Sequence, residues 1–259
     1  MAPAGVRLDH RRGGSVLDVC LPGGPLGATT ASALIRALEA AVEDRTLRAV
    51  VLRAEDGDFC TGPGPDLDPL AAIVDPASLL ARIRVPVIAA VTGQCRSVGL
   101  ELVLATDIVL AGPDATFALP EVAQGRGLPC WGGTQRLARA VGVARSGAMV
   151  LLGEELDAVA AQGAGLVWSV ISEPAETPAG QDADSPVTAA ALALAERLCG
   201  LGPLALEFAK EAVHRGAELP LRDGLRLEGD LNTLLATSSD RAEGLAAFFA
   251  KRPADFAGR

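Results

Sequence analysis

Apolar runs of strand length alternate with glycine-rich turns at the start of the chain. Residues 6–10 and 15–21 are two such runs, and the turn sequence RGG lies between them. Two extended runs joined by so short a turn predict a β-hairpin. Residues 48–53, RAVVLR, are a further apolar run bounded by charges, and this pattern predicts a buried strand.

A helical pattern lies between the hairpin and that strand. Leu34, Leu38 and Val42 recur at helical spacing, so they would form one apolar face of an α-helix. Thr29 or Thr30 stands just before this face, and a threonine hydroxyl can accept a hydrogen bond from a free amide of the first turn. We therefore expect one of the two threonines to be the N-cap.

The alternation of strands and helices continues through the middle of the chain. Helical stretches surround Glu101 and Arg136, and strands are predicted at Val87–Val91, 107–111, 115–119 and 167–171. This order is that of an α/β protein whose helices cover the strands. The periodicity alone allows either successive strand–strand–helix turns or a doubly wound sheet.

The character of the sequence changes near residue 172. Residues 172–186 are polar and rich in Pro, Gly and Asp, which indicates a surface linker. Only helical patterns follow, at 187–201, 203–214, 221–235 and 240–251. The last begins with Asp240 and has Glu243 at the spacing of a capping box. We therefore expect a core of residues 1–185 and a helical C-terminal region of residues 186–259 that packs on the core and builds subunit contacts.

Composition and charge argue against several classes of protein. Of the 259 residues, 49% are hydrophobic, which argues against a disordered chain, and no apolar stretch is long enough to cross a membrane. The net charge of −9 disfavours nucleic acid as a partner, because phosphate contacts need a basic face. The first residues lack the apolar segment of a secretory signal, so we expect a cytoplasmic protein.

The cysteines do not form a recognisable framework. They are odd in number and lack the paired spacing of disulfide or zinc sites: Cys20, Cys60, Cys95, Cys130 and Cys199. We expect reduced thiols in the core or lining a pocket, and no metal site.

Two glutamates are the candidates for chemistry. Glu101 stands among apolar residues of a predicted helix, and Glu121 follows Pro120 further along the chain. Two carboxylates close together at low dielectric acquire different pKa values, which suits them to acid and base roles. The two histidines, His10 and His214, lie outside any motif, and the chain has no tyrosine, serine-hydrolase elbow or phosphate-binding loop. Proton transfer would therefore fall to the carboxylates.

Around these glutamates the sequence resembles the enoyl-CoA hydratase, or crotonase, superfamily. Residues 87–139 contain the strand IAAV, an acid on the following helix, the dipeptide PE and the sequence GGTQRL, in the order usual for that family. The likeness extends from FCTG at residues 59–62 to the tail beyond residue 239, so it covers nearly the whole chain. It implies an α/β fold, the crotonase-like ββα superhelix, with a helical C-terminal region.

The resemblance also implies a mechanism and partners. In the family, two glutamates handle one water molecule, which attacks the β-carbon of a 2-enoyl-CoA thioester. By position, Glu121 would be the principal acid and base, and Glu101 would hold or activate the water. No metal or redox cofactor is implied, and coenzyme A enters only as part of the acyl-CoA substrate. The implied assembly is a homotrimer or a dimer of trimers.

The same resemblance implies an oxyanion hole, in which two backbone amides stabilise charge on the thioester oxygen. The family supplies one amide after the FC(A/S)G turn and the other three residues before the helix acid. Here those places correspond to Gly64, which lies between two prolines without an N–H, and to Val98. The further residues that the match implies for substrate binding are Pro65, Asp66, Leu67 and Gly99.

The chain departs from the family pattern at both donor positions. The first turn is longer than usual, and the usual triple glycine is replaced by SVG at residues 97–99, with Arg96 before it. Residues 130–131, CW, replace small residues. Three interpretations therefore stay open: hydration, another family reaction such as isomerisation, hydrolysis or decarboxylation, and binding of acyl-CoA without turnover.

The basic residues that would meet the phosphates of coenzyme A are not identified by the sequence. Lys210 and Lys251 lie on predicted amphipathic helices near the end of the chain. Either could contact the phosphates, and the alternative for both is an ordinary exposed helix charge.

Overall fold

The computed structural model describes residues 5–55, 57–71, 75–172 and 185–259. Its strands, in chain order, are β1 (Arg7–Arg11), β2 (Val16–Leu21), β3 (Pro25–Leu26), β4 (Ala49–Ala54), β5 (Gly62–Pro63), β6 (Val87–Val91), β7 (Gln94–Arg96), β8 (Ile108–Ala111), β9 (Thr116–Ala118), β10 (Leu156–Asp157) and β11 (Ser169–Val170). Its helices are α1 (Ala28–Glu43), α2 (Pro76–Arg82), α3 (Val98–Val103), α4 (Gly133–Val141), α5 (Val143–Leu152), α6 (Ala158–Gly163), α7 (Pro186–Cys199), α8 (Pro203–Gly216), α9 (Leu221–Ala236) and α10 (Ser239–Ala250).

The main sheet has the strand order β1-β2-β4-β6-β8-β11. Only β1 runs antiparallel to its neighbour, in the hairpin that the sequence predicts; every pairing from β2 onward is parallel. β4 and β6 are buried at every position. Uninterrupted apolar runs such as these are typical of parallel strands that are covered on both faces.

Two central strands of the main sheet, β6 and β8, are each followed by a second strand and then by a helix. β7 comes directly after β6 and pairs with β9, which in turn follows β8. The sharp turn between β6 and β7 contains Gly93, where φ is +54° and a Cβ would lie 2.7 Å from Asp58 Oδ1. α3 then follows β7, and α4 follows β9. These ββα turns are the predicted superhelix, so the doubly wound alternative is wrong.

The N-terminus of α1 is capped from another part of the chain. Gly27 is its N-cap residue, and the Ala28 amide donates to Asp66 Oδ2 at 3.1 Å. The prediction that Thr29 or Thr30 caps this helix is therefore wrong. Both threonines lie inside the helix, which begins before its apolar stripe does.

Different parts of the chain cover the two faces of the main sheet. Val50 and Leu52 of β4 belong to a large core cluster that includes α1, whereas Val51 packs against Val187 and Ala191 of α7. Successive strand residues point to opposite faces, which explains this division. The four predicted C-terminal helices are confirmed as α7, α8, α9 and α10, and the first of them is part of the packing of the sheet.

The start of α10 differs from the predicted capping box. Ser238 is the N-cap residue, and its side chain accepts a hydrogen bond from the first turn. Asp240 is buried instead, and its carboxylate accepts the amides of Ala257 and Gly258. Glu243 forms an ion pair with an arginine beyond the helix end. These acids therefore fasten the chain terminus to α10, and the predicted box is wrong.

A charged pair lies inside the main sheet. Asp18 on β2 is fully buried, and Arg53 on β4 is 5% exposed. The guanidinium of Arg53 donates from Nε to Asp18 Oδ1 at 2.8 Å and from Nη2 to Oδ2 at 3.2 Å. Arg11 on β1 also donates to Oδ2, at 3.1 Å. One carboxylate thus connects three neighbouring strands.

Asp107 fastens α8 to the main sheet. Its carboxylate accepts hydrogen bonds from the Val87 amide and from Lys210 Nζ, and His214 Nε2 lies 2.7 Å from its Oδ1. Burial raises the pKa of the Asp107 carboxyl, but the contacts with His214 and Lys210 outweigh it and keep the pKa below its ordinary value. The Lys210 side chain is only 12% exposed, so it is not an ordinary surface charge.

Residues 173–184 of the predicted linker lie outside the described residues. Within the described ranges, no single helix is long and apolar enough to span a membrane. α7 and α8 together reach that length and apolarity, with a bend of 112° between them.

Candidate active site

Glu101 lies on α3, the short helix that follows β7. The start of this helix is in close contact with the segment before β5, because a Cβ at Gly99 would lie 2.5 Å from Cys60 Cβ. Every residue of α3 is buried, and Glu101 is 1% exposed. It is therefore not the solvent-facing acid that a helical glutamate usually is.

Two backbone amides hold one oxygen of Glu101. The Trp131 and Gly133 amides donate to Oε1 at 2.7 and 2.8 Å. Gly132 between them has a φ of +93°, and a Cβ at Gly133 would lie 3.0 Å from the same oxygen. The glycines thus let the backbone reach the carboxylate. The other oxygen, Oε2, is buried and has no hydrogen-bond partner among the described residues.

Trp131 also connects this loop to the segment that follows β5. The residue is 2% exposed, and its indole Nε1 donates to the Pro69 carbonyl at 3.1 Å. The bulky residue that replaces a small one in the family pattern therefore joins the loop that holds Glu101 to the segment that carries Gly64.

Glu121 follows β9 and is 7% exposed. Its Oε1 accepts a hydrogen bond from the hydroxyl of Ser97, the residue just before α3. Its Oε2 is buried and, within the described part of the chain, has no hydrogen-bond partner. Each glutamate therefore has one oxygen held by the protein and one buried oxygen without a partner among the described residues.

Ser97 brings the two glutamates together. Its carbonyl accepts a hydrogen bond from the Glu101 amide at 3.1 Å, and its hydroxyl donates to Glu121. Its own amide donates to the Ala118 carbonyl at 3.0 Å. Two acids that are distant in sequence are thereby attached to one residue.

Burial sets the electrostatics of the pair. It raises the pKa of Glu101 to about 7, against the lowering effect of the Gly133 and Trp131 amides, and the charge of Glu121 raises it further. Burial and the charges of Glu101 and Glu121 also raise the pKa of the Cys130 thiol to about 11. Cys130 is therefore a neutral thiol near the site, without the thiolate character of a nucleophile.

The raised pKa of Glu101 predicts that stability depends on pH. Between about pH 4.5 and about pH 7 the folded protein retains a proton that the unfolded chain releases, so stability falls as the pH rises through this window. From about pH 4.5 to about pH 8, we expect the free energy of unfolding to fall by on the order of 3 kcal/mol more in the wild type than in Glu101→Gln. Urea titrations measure both, with exposed Glu228→Gln as the control. Parallel curves for wild type and Glu101→Gln would contradict the raised pKa.

Of the two amides expected to form an oxyanion hole, one is available. Val98 is the first residue of α3, and its amide has no acceptor among the described residues. The Gly64 amide donates to the Leu26 carbonyl at 2.8 Å, and Pro63 and Pro65 on either side of it have no N–H. In this conformation the Gly64 amide is therefore already engaged.

The other residues assigned to substrate binding by the family match have contacts of their own. Pro65 and Asp66 are exposed, and Asp66 caps α1. Leu67 is half-buried against the core, and Gly99 packs on Cys60. The structure thus brings Glu101, Glu121 and the Val98 amide to one place, and uses Asp66 and Gly64 to fix the neighbouring segment.

Sequence reasoning gave no role to Ser97 or to the amides of Trp131 and Gly133. The replacement of a glycine by Ser97 was visible in the sequence, but the direction of its hydroxyl depends on an unusual φ of +57°. In the described part of the chain, no three His, Cys, Asp or Glu side chains are grouped so as to hold a metal ion.

The ββα turns and the buried pair of glutamates beside an available helix amide are features of the crotonase class that the sequence indicated. The family model for enoyl-CoA hydratase/isomerase matches residues 25–259. The chain is 40% identical over 235 residues to 2,3-dehydroadipyl-CoA hydratase of Escherichia coli (strain K12), and the match covers 87% of this chain and 87% of that protein. It is 33% identical over 239 residues to mitochondrial methylglutaconyl-CoA hydratase of Rattus norvegicus, covering 87% of this chain and 72% of that protein.

Solved structures agree with these relatives. The crystal structure of enoyl-CoA hydratase from Bacillus anthracis matches with a TM-score of 0.84 and 27% identity, over 98% of this chain and 99% of that one. The chain therefore belongs to the enoyl-CoA hydratase/isomerase family, and the predicted crotonase-like fold is confirmed.

Proposed function

We propose that this protein adds water across the double bond of a 2-enoyl-CoA thioester, with Glu101 and Glu121 sharing the water. One observation carries the proposal: each carboxylate has a buried oxygen without a partner among the described residues. Buried polar atoms are nearly always hydrogen-bonded, to protein or to water. A single water between Oε2 of Glu101 and Oε2 of Glu121 would satisfy both.

The two acids would have different roles in the addition. The water oxygen bonds to the β-carbon and loses its proton to a carboxylate, and the α-carbon receives a proton, so the elements of one water are added. We assign Glu121 as the principal acid and base. Glu101 would orient the water through Oε2, because the Trp131 and Gly133 amides hold its Oε1. The pKa of about 7 lets Glu101 exist in either protonation state near neutral pH.

Charge that develops on the thioester oxygen would be stabilised by the Val98 amide. This amide stands at the start of α3, three residues before Glu101, and has no acceptor among the described residues. A backbone donor in a buried site is preorganised, which makes it effective in the transition state.

The relatives support the substrate class. The names of the two relatives given above specify hydration of acyl-CoA thioesters. We propose the same class here, with coenzyme A as part of the substrate and no further cofactor, within acyl-CoA metabolism. A cytoplasmic location and a homotrimer or dimer of trimers, with residues 186–259 in the subunit contacts, complete the proposal.

A second candidate is binding of acyl-CoA without turnover. The hydrogen bond from the Gly64 amide to the Leu26 carbonyl supports it, because that amide is then unavailable as the first oxyanion donor. Another family reaction, such as isomerisation, would use the same two glutamates in different acid and base roles.

Loss of the enoyl thioester absorbance tests the proposal directly. We expect the purified protein to hydrate crotonyl-CoA or 2,3-dehydroadipyl-CoA with a kcat of about 1–1,000 per second, the ordinary range for enzymes. Chromatography of the products separates 3-hydroxyacyl-CoA from isomers and from free coenzyme A. Calorimetric binding of these thioesters without any product would overturn the hydratase in favour of the binding protein.

A further inference from the structure

Ser97 has a backbone conformation that is unusual for a residue with a side chain. Its φ and ψ are 57° and −129°, a conformation that glycine adopts readily and other residues rarely do. The residue is 2% exposed, and its side chain lies against Gly62, where a Cβ would be 3.4 Å from Ser97 Cβ. The contacts around Ser97 therefore hold it in a strained backbone conformation.

The Ser97 hydroxyl is hydrogen-bonded to one of the two glutamates. Ser97 Oγ donates to Oε1 of Glu121 and leaves Oε2 without a partner in the described part of the chain. The Ser97 carbonyl accepts the Glu101 amide, and the Ser97 amide donates to Ala118 at the end of β9. The serine is therefore held by its backbone on both sides while its side chain contacts the carboxylate.

We infer that Ser97 is a positioning residue, whose hydroxyl fixes the orientation of Glu121 and determines which carboxylate oxygen faces the water. This inference rests on the proposed function for its effect on turnover. A carboxylate without that bond could rotate about its last side-chain torsion, which is a soft one.

Two substitutions separate the hydroxyl from the backbone. Ser97→Gly removes the hydroxyl and suits the positive φ, so it should fold well. Ser97→Ala removes the hydroxyl and keeps the Cβ. Thr106→Ala is the matched control, because Thr106 is a buried residue whose hydroxyl donates to the Val103 carbonyl just beyond the other end of α3.

Steady-state turnover is the first measurement. We expect Ser97→Gly and Ser97→Ala to lower kcat about 10- to 100-fold, with KM within about twofold, because a small misplacement of a reacting group has effects of this size. Thr106→Ala should leave both constants at their wild-type values.

A spectroscopic measurement tests the inference without turnover. In protein labelled with ¹³C at glutamate carboxyls, the resonance of Glu121 is the one lost in Glu121→Gln. We expect its chemical shift at a fixed pH to differ from the wild type in Ser97→Gly, because the carboxylate has lost a hydrogen-bond donor, and to be unchanged in Thr106→Ala. An unchanged chemical shift in Ser97→Gly would overturn the role of Ser97, whereas a wild type without turnover would overturn only the proposed function.

Discussion

Glu121→Gln is expected to lower kcat for hydration about 1,000-fold or more while acyl-CoA binding stays within about threefold of the wild type. Glutamine has the same shape and can still accept a hydrogen bond from Ser97 through its carbonyl oxygen. It cannot accept the proton of the attacking water or give one to the α-carbon. The loss should therefore fall on the chemical step. Initial rates on crotonyl-CoA and calorimetric titration with a saturated acyl-CoA measure the two quantities.

Glu228→Gln removes a carboxylate from the exposed surface of α9 and is the matched control for this substitution. Its rates should equal those of the wild type. Glu101→Gln should lower kcat in the same direction as Glu121→Gln, since the water would lose one of its two carboxylates. Full activity in Glu121→Gln would remove this residue from proton transfer and leave Glu101 as the sole candidate.

Asp18→Ala is expected to lower the free energy of unfolding by about 3–5 kcal/mol, because it takes the bidentate Asp18 carboxylate away from the buried guanidinium of Arg53. For a chain of this length, such a loss corresponds to a decrease in melting temperature on the order of 10 °C. Thermal unfolding followed by circular dichroism measures this decrease. Asp18→Ala combined with Arg53→Met should recover part of the loss, since the buried guanidinium is then gone.

Asp9→Ala is the internal control for that experiment. Asp9 on β1 lies directly opposite Asp18 in the register of the hairpin, but its side chain is 45% exposed. Its ion pair with Arg7 is solvent-screened, so its removal should change stability by about 1 kcal/mol or less. If Asp9→Ala and Asp18→Ala have equal effects, the buried pair contributes no more than a surface pair.

Patterns in the sequence predict most of the architecture because the central strands of the main sheet are buried on both faces. Such strands are continuous apolar runs, and those of β4 and β6 are visible directly. The helix caps are harder to predict. Asp66 caps α1 from a segment far along the chain, and a local rule finds only the nearby threonines. Likewise, Asp240 faces Ala257 and Gly258, so its local capping pattern is coincidental.

The candidate site can likewise be predicted only in part. Glu101 can be found in the sequence because an acid in so apolar a setting is unusual, and Glu121 can be found because it stands in the dipeptide PE of the family pattern. The partners of their oxygens cannot be found in this way. The Trp131 and Gly133 amides reach Glu101 through the backbone, which has no sequence signature beyond Gly132 and Gly133. The engagement of the Gly64 amide depends on the pairing of β5 with β3, two strands too short to give a pattern.

The contact between Trp131 and Pro69 affects how the specificity of this protein can change in evolution. The amide of Trp131 donates a hydrogen bond to Glu101, and its indole donates one to the Pro69 carbonyl. Pro69 lies on the segment that the family match assigns to substrate binding. A sequence change that reshapes this segment for another acyl group would also displace the carboxylate. If the proposed function holds, we expect acyl preference and turnover rate to change together. A loop exchanged with a relative would have to include residues 64–71 and 129–133 as a matched pair.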